Sequence, residues 1–302
     1  MFSSSLVLLS LVLGLAPAED THTIKLKKLA KGDVAKVEDV EESNTAVVVT
    51  DGAGMKIVDQ NEKTTKTNNY QETVLEKKEG DDNATSVKRV YEKARNLPKD
   101  GKEETRVYEG KTVLIDKKGD KYQFMIEGGK EITGKKAEDL DESFNKKGPS
   151  DEEVEKHLLP GKAVKVGESW KIDADKMLKE IMKDEKDTVM AFDSAKTEGS
   201  GKLLEVYEKN GHKFGKMTFT ILATLKEFSA GGMKFKVRDG SKMAMDIQFD
   251  VCIDGAEGSS VLKLVMKMTL NADLPAPDGK ELNMNVDGKS AMTRKTTDVT
   301  KK

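Results

Sequence analysis

An apolar side chain recurs at every second position over unusually long stretches of the C-terminal half, and no other feature limits the possible folds as strongly. From Met243 to Ile253 the odd positions are apolar, whereas Asp246 and Asp250 stand among the even ones. This alternation places one set of side chains on each face of a β-strand. It therefore predicts a long strand with one buried, apolar face and one solvent-exposed, polar face.

The same alternation returns in neighbouring segments, separated by pairs of residues typical of tight turns. The apolar runs cover residues 217–225, 233–237 and 262–270, and the turn pairs are Asn210-Gly211, Asp239-Gly240, Asp278-Gly279 and Asp287-Gly288. Asn-Gly and Asp-Gly favour the positive backbone angles of hairpin turns. The C-terminal half is therefore predicted to be a meander of antiparallel strands, in which Phe219, Ile247 and Leu264 share a water-free side while Asp246 and Lys263 point away from it.

The first half contains the same pattern in weaker form. Alternating apolar residues around a Lys117-Lys118-Gly119-Asp120 turn predict a hairpin over residues 113–126. Earlier strands are predicted at Ile24 and Leu26 and at Val47 and Val49. The polar stretch 61–96 is interpreted as strands with exposed edges.

Two helices are predicted between the halves. Ser150 and Glu153 have the spacing of a capping box, which opens a helix through Leu158. A second helix is predicted over residues 173–183, because Met177, Leu178, Ile181 and Met182 fall on one side of it.

These elements predict a mainly β (α+β) fold: a long, curved antiparallel meander sheet or half-barrel with one or two mid-chain helices on its apolar face. The expected divisions are a signal peptide at 1–18, an N-terminal β-rich half at 19–135, a helical connector at 136–184 and a C-terminal meander at 185–302. We expect the two halves to form one continuous domain.

The N-terminus predicts export. Residues 6–15 are almost unbrokenly apolar and are followed by Ala16-Pro17-Ala18, the small residues of a signal-peptidase site, so cleavage is expected before Glu19. The apolar run is too short to span a bilayer, which needs roughly 20 residues. No Cys follows it, so a periplasmic or extracellular protein without a lipid anchor is expected. The 52 basic and 54 acidic residues are interspersed, which argues against a nucleic-acid partner.

No combination of residues indicates catalysis, a metal or a cofactor. His22, His157 and His212 lie far apart in the sequence and are interpreted as surface residues. Cys252, the single cysteine, is predicted on the polar and exposed face of its strand. The segment Asn283–Gly288 matches the opening of an EF-hand loop, but Arg294 stands where a bidentate Glu is required. We interpret that segment as a hairpin turn and expect no enzymatic activity.

Methionines on the predicted apolar faces are the one compositional feature that indicates a ligand. A thioether adapts to irregular partners, although the same residues also suit a wide core that binds nothing. The expected lining of an apolar or lipid-like ligand between sheet and helix is Met177, Ile181, Met217, Phe219, Met243, Met245, Ile247, Phe249 and Met266.

Two short sequence segments resemble segments of a known group of bacterial proteins. Leu159-Pro160-Gly161-Lys162 with Val166-Gly167-Glu168-Ser169-Trp170, and the hairpin from Val107 to Phe124, resemble uncharacterised exported β-rich proteins of planctomycete-type bacteria. Trp170 is expected to anchor its strand in the core.

The expected architecture is also similar to the half-barrel of bacterial lipoprotein carriers of the LolA and LppX type, which implies an acyl-chain ligand. That resemblance concerns the fold and transfers no residue. Two functions stay open: a binding protein for an apolar molecule, and a structural or interaction protein of the cell envelope with a fully packed core and an envelope-protein partner.

Overall fold

The computed structural model describes residues 20–51, 53–78, 83–98, 101–145, 151–182, 188–275 and 281–300. The predicted signal peptide and its cleavage site lie outside these residues. So do Ser150 of the capping box and the Asp278-Gly279 turn.

Strands dominate the part of the chain that the structure describes, and three α-helices and one 3-10 turn (Gly134–Lys136) accompany them there. The helices are α1 (Glu138–Phe144), α2 (Asp151–Leu158) and α3 (Ala174–Met182). The strands are β1 (Thr21–His22), β2 (Val34–Thr50), β3 (Lys56–Glu76), β4 (Ser86–Leu97), β5 (Glu104–Thr105), β6 (Thr112–Lys118), β7 (Lys121–Ile126), β8 (Lys130–Glu131), β9 (Val164–Lys165), β10 (Ser169–Lys171), β11 (Thr188–Lys209), β12 (His212–Ala230), β13 (Met233–Val237), β14 (Lys242–Cys252), β15 (Ser260–Pro275) and β16 (Glu281–Asp298). The predicted mainly β fold with mid-chain helices is confirmed.

One antiparallel sheet contains all the strands except β1 and β9, which pair with each other. Its order is β10-β11-β12-β13-β15-β16-β2-β3-β4-β6-β7-β8, with β14 between β12 and β15, and with β5 on β4. The N- and C-terminal halves meet where β16 pairs with β2, from Asn283 opposite Thr50 to Asp298 opposite Ala35. The halves therefore share a single sheet.

One face of this sheet, called the inner face here, bears Phe219, Ile247 and Leu264. Phe219 and Ile247 are buried and directly opposite each other, and Ile247 is opposite Leu264. Asp246 and Lys263 are exposed on the other face. The predicted period-two pattern of the C-terminal half is therefore correct.

Of the predicted Asn-Gly and Asp-Gly turns, two are correct, one is wrong and Asp278-Gly279 lies outside the described residues. Asn210-Gly211 joins β11 to β12 and Asp239-Gly240 joins β13 to β14, with both glycines at positive φ. Asp287-Gly288, however, lies in the middle of the continuous strand β16, opposite Ala46 and Thr45. The turn prediction was wrong there because cross-strand pairing on both sides holds an extended backbone that overrides the local preference of Asp-Gly.

The N-terminal half is more regular than its polar sequence indicates. The hairpin of β6 and β7 matches the prediction, and the stretch 61–96 forms most of β3 and β4. The expected exposed edge is wrong for β3 from Thr65 onward, because β2 and β4 pair with it on both sides. The 3-10 turn and α1 were not predicted.

The segment before β2 crosses the end of the sheet as a strap and, beyond β1, is not a regular strand. Ile24 and Leu26, which were predicted in a strand, instead pack against the core near α3. Lys27 Nζ donates to Asp33 Oδ1 at 2.8 Å and to Asp298 Oδ2 at 2.7 Å, which ties the strap to the end of β16. These part-buried ion pairs join the two ends of the described chain.

The predicted mid-chain helices exist, and glycines let one of them approach the sheet closely. Met177 and Leu178 of α3 are buried on the inner face. A Cβ added at Gly199 of β11 would lie 2.9 Å from the Ala174 Cβ. The Trp170 ring packs over Gly201 and edge-on to Phe219, and its Nε1 donates to the Leu158 carbonyl at 2.7 Å. Trp170 therefore anchors its strand in the core, as expected.

The contact between Trp170 and Gly201 generates a stability prediction. Gly201→Ala places a methyl group within the indole ring, and overpacking of this kind costs about 1–3 kcal/mol. Gly161→Ala is the matched control, because a Cβ there meets nothing within 4 Å, and a change within about 0.5 kcal/mol is expected. Urea unfolding midpoints measure both. Equal midpoints for the two variants would contradict the packing described.

Candidate functional site

The nine residues predicted to line an apolar ligand site all belong to one cluster between the inner face and α3. Met177, Met217, Phe219, Met243, Met245 and Ile247 are buried, and Ile181, Phe249 and Met266 are partly buried against them. None of the nine lines either of the two cavities described below. The nine residues therefore lie together as predicted, and they pack against one another.

Cys252 was predicted to be exposed, and this was wrong. The side chain is fully buried, because the turn after β14 folds back and the strap pairs with it, with Lys25 N donating to the Ile253 carbonyl at 2.9 Å. Burial, followed by a hydrogen bond to Asp254 Oδ1 at 3.0 Å, raises the pKa of the Cys252 thiol. A protonated, inaccessible thiol is a poor nucleophile.

The three histidines and the EF-hand-like segment contribute no residue to either of the cavities described below. His22, His157 and His212 are partly buried rather than fully exposed. Asn283 and Asn285, which begin the EF-hand-like segment, are extended in β16 and accept hydrogen bonds from Arg238. Among the described residues, no three His, Cys, Asp or Glu side chains group as metal ligands would.

A polar cavity of about 230 Å³ lies between the inner face and α1. It is called the tyrosine–arginine cavity here. Strands β16, β2, β3 and β4, the turn before β6, and α1 contribute its lining, which consists of Asp39, Asn68, Tyr70, Arg89, Tyr91, Tyr108, Asp139, Leu140, Ser143 and Arg294. A cavity of roughly 150 Å³ accommodates a molecule the size of benzene, so this one has room for a small ligand.

Aromatic rings hold the Arg89 guanidinium rigidly. Its central carbon lies 4.3 Å from the centroid of Tyr70 and 4.5 Å from that of Phe144, so it is sandwiched between two ring faces. Tyr91 packs between Tyr70, at 5.3 Å, and Tyr108, at 4.7 Å. These packed rings, together with the guanidinium between Tyr70 and Phe144, restrict side-chain motion on this wall of the cavity.

Arg89 is also fixed by a charged partner. Its Nε donates to Glu72 Oε2 at 2.6 Å and its Nη1 to the Tyr91 hydroxyl at 3.3 Å. Burial alone would lower the pKa of the guanidinium, but Tyr70, Tyr91 and Glu72 raise that pKa well above its ordinary value. Arg89 is therefore a permanent cation in the wall.

The second guanidinium belongs to Arg294, which pairs with a carboxylate that has one oxygen without a donor among the described residues. Arg294 Nη2 donates to Asp39 Oδ2 at 2.9 Å across the β16–β2 pair. Asp39 Oδ1 is buried and accepts no hydrogen bond from any described residue. Leaving a buried acceptor unsatisfied costs about 1–3 kcal/mol, and more when the group is charged. This oxygen is therefore a site for a donor.

Helix α1 closes the cavity and is attached to the sheet by charge. Its first turn carries Glu138, Asp139 and Asp141, which suits the positive end of the helix dipole. Asp139 forms ion pairs with Lys66 at 3.2 Å and with Arg106. Leu140 is buried against the strands below, so both packing and charge hold α1 in place.

Burial keeps the tyrosines of the cavity protonated. It raises the pKa of Tyr70 and Tyr91, and Arg89 opposes this only in part. It also raises the pKa of Tyr108, where Tyr91 and Asp139 add to the effect. These hydroxyls therefore act as neutral hydrogen-bonding groups, and none is poised as a base near neutral pH.

Sequence reasoning missed this cavity because its residues lie on strands that are distant in the chain. One local signal was present: Tyr70, Arg89 and Tyr91 stand out as large side chains in a polar stretch. A β-bulge, however, breaks the alternation in β4, where Asn69 pairs with Lys93 but Tyr70 with Tyr91. Both Tyr91 and Ala94 are consequently buried although three positions separate them.

A second cavity, of about 80 Å³, lies on the other face of the sheet beside Tyr207 and Phe214, which stack at 5.6 Å. The Tyr207 hydroxyl donates to Asp250 at 2.8 Å. Burial first, and then this bond, raises the pKa of Tyr207 to about 12. The cavity is about half the volume that accommodates benzene, so the tyrosine–arginine cavity is the better candidate.

The comparisons with known proteins assign no family. No protein-family model and no curated protein matches the chain. Among solved structures, OmpT, an outer membrane protein of Vibrio cholerae, is similar at a TM-score of 0.20 and 8% identity, over 87% of this chain and 99% of that one. Pseudomonas aeruginosa OccK2 in complex with glucuronate gives 0.20 and 7%, over 88% and 96%. OpdQ from the same organism gives 0.21 and 8%, over 88% and 98%. Scores this low establish no common fold.

Among the described residues, no helix combines the length and the apolar character that crossing a membrane requires.

The position of Arg89 generates a prediction about stability. Arg89→Met leaves Glu72 without its cation at a part-buried position, and a loss of about 1–3 kcal/mol is expected. Lys88→Met is the matched control, since Lys88 pairs with Glu127 at an exposed position, where a loss below about 1 kcal/mol is expected. Urea unfolding compares the two variants. Equal losses would show that the sandwich of Arg89 contributes nothing to stability.

Proposed function

We propose that this chain is an exported, non-catalytic binding protein that holds a small polar ligand in the tyrosine–arginine cavity. The observation that carries the proposal is Asp39 Oδ1, a buried carboxylate oxygen that receives no hydrogen bond from any described residue and lies in the wall of a cavity large enough for a small molecule. A ligand that donates to it recovers the cost of its burial.

The chemistry of the wall supports binding rather than catalysis. Asp139 and Asp39 are both held by cations, and the pKa values of the tyrosines are raised, so no described residue of the cavity is an activated nucleophile or a base poised near neutral pH. Rigid aromatic and charged groups are typical of a preformed binding site.

Native mass spectrometry of the protein isolated from an exporting host tests the proposal. We expect a bound small molecule in the wild type and its loss in Ser143→Phe, because Ser143 lines the cavity and an aromatic ring there fills it. Glu138→Phe is the matched control, as it places the same ring on α1 at an exposed position outside the lining.

The possible results separate the candidate functions. Bare protein in every sample contradicts the proposal. A heavier, apolar ligand that survives Ser143→Phe would instead support the carrier function implied by the LolA and LppX resemblance, with the ligand in the cluster beneath α3.

Contact with another envelope component is a second candidate, and one observation favours it. Within the described part of the chain, the most exposed large apolar side chains are 56–70% exposed, and they belong to Met55, Ile57, Val189 and Met233. All four stand at the end of the sheet where the β2–β3 and β12–β13 turns lie and where β11 begins. Bare protein in the experiment above would favour this function.

Export has its own test. We expect a bacterial host that produces the full chain to export it. The protein found outside the cytoplasm should have the mass of a chain that begins at Glu19. Leu9→Asp interrupts the apolar run and should leave the uncleaved chain inside, whereas Ser4→Ala should change nothing. Intact-mass analysis of the fractions reads out both variants. Cleavage of Leu9→Asp at the same site would contradict the signal-peptide interpretation.

A further inference from the structure

We infer that the ligand of the tyrosine–arginine cavity is a small zwitterion that carries both a carboxylate and an ammonium group, the chemical class of free α-amino acids. The inference rests on the proposed function and adds the chemistry that the wall selects.

The balance of charge in the lining is the first argument. Two guanidiniums, Arg89 and Arg294, and two carboxylates, Asp39 and Asp139, line the cavity. A ligand with a net charge would leave one charge of the partly buried wall or of the ligand unmatched, which is unfavourable where contact with water is reduced. A neutral molecule with two opposite charges preserves the balance.

The second argument comes from Asp39, because one of its carboxylate oxygens lacks a hydrogen-bond donor among the described residues. Its Oδ2 is occupied by Arg294, whereas Oδ1 is buried and has no partner among the described residues. A charged N–H donor makes a shorter and stronger bond to a carboxylate than a neutral one does. An ammonium group at this oxygen therefore fits better than a hydroxyl group.

Uncommitted donors on the same wall supply the third argument. A guanidinium has five N–H groups. Within the described residues, Arg294 uses Nη2 towards Asp39, and Arg89 uses Nε and Nη1, while Nη1 of Arg294 and Nη2 of Arg89 have no partner. Guanidinium groups match the geometry of a carboxylate. The wall thus presents a place for an anion beside a place for a cation.

The volume of the cavity limits the size of the zwitterion. About 230 Å³ exceeds the roughly 150 Å³ that accommodates benzene, but only modestly. A compact amino acid fits this space better than a peptide or an acyl chain.

Isothermal titration calorimetry of the dialysed mature chain, with four named probes, tests the inference. L-serine has both charges and N–H donors, trimethylglycine has both charges but no donor, glycolate has only the carboxylate, and glycerol has no charge. We expect L-serine to bind at least about tenfold more tightly than each of the other three, since the loss of one charge-assisted bond changes affinity by that order.

Asp39→Asn adds an independent measurement. It removes the carboxylate while keeping the shape, so affinity for L-serine should fall about tenfold or more, whereas affinity for glycolate should hold or rise. The matched control is Asp59→Asn, because Asp59 is exposed and lies outside the cavity lining. The comparison of the four probes on the wild type decides the inference even if Asp39→Asn fails to fold.

Each outcome separates the inference from the proposed function. Tighter binding of glycerol or glycolate that Ser143→Phe abolishes overturns the zwitterion, and tighter binding of trimethylglycine overturns the assignment to free α-amino acids. Each of these results leaves the binding function intact. No binding of L-serine at millimolar concentration also overturns the zwitterion. The proposed function fails only if the protein is bare in native mass spectrometry as well.

Discussion

The pairing of β16 with β2 is the constraint on which the rest of the structure depends. It places Met284 opposite Val49 and Arg294 opposite Asp39, so that the two halves of the chain have a common inner face. A slip of one residue would turn every inward side chain of one half to the other face. The core would then lose its continuity, and the cavity would lose one of its two guanidiniums.

The inner face is too long to be covered by a single helix, and its two ends are covered differently. α3 packs on β11 where glycine permits close approach, and the methionines beneath it fill an apolar core. α1 covers the other end, where its acidic first turn meets Lys66 and Arg106. Polar strands lie between these ends, so charges enter a partly buried region and require partners.

That requirement connects stability to the proposed binding site. Arg89 is held by Glu72 and by the rings around it, whereas Asp39 keeps one buried oxygen that accepts no hydrogen bond from any described residue. A protein that tolerates this cost in a cavity is well suited to a ligand that removes it. Because the surrounding rings are rigid, little ordering is required on binding, which favours affinity for a small molecule.

The sequence by itself determined the elements whose pattern is local. Period-two alternation identified β12, β14 and β15 and their inward faces, because side-chain direction follows from backbone geometry within a few residues. A capping box identified α2, and helical spacing identified α3. Only the tertiary structure decided the burial of Cys252 and the extended conformation of Asp287-Gly288 within β16. It also decided the ion pair between Arg294 and Asp39, which are 255 positions apart in the sequence. Those features depend on which strands become neighbours and in which register, and cross-strand contact is not encoded by the pattern of any one strand.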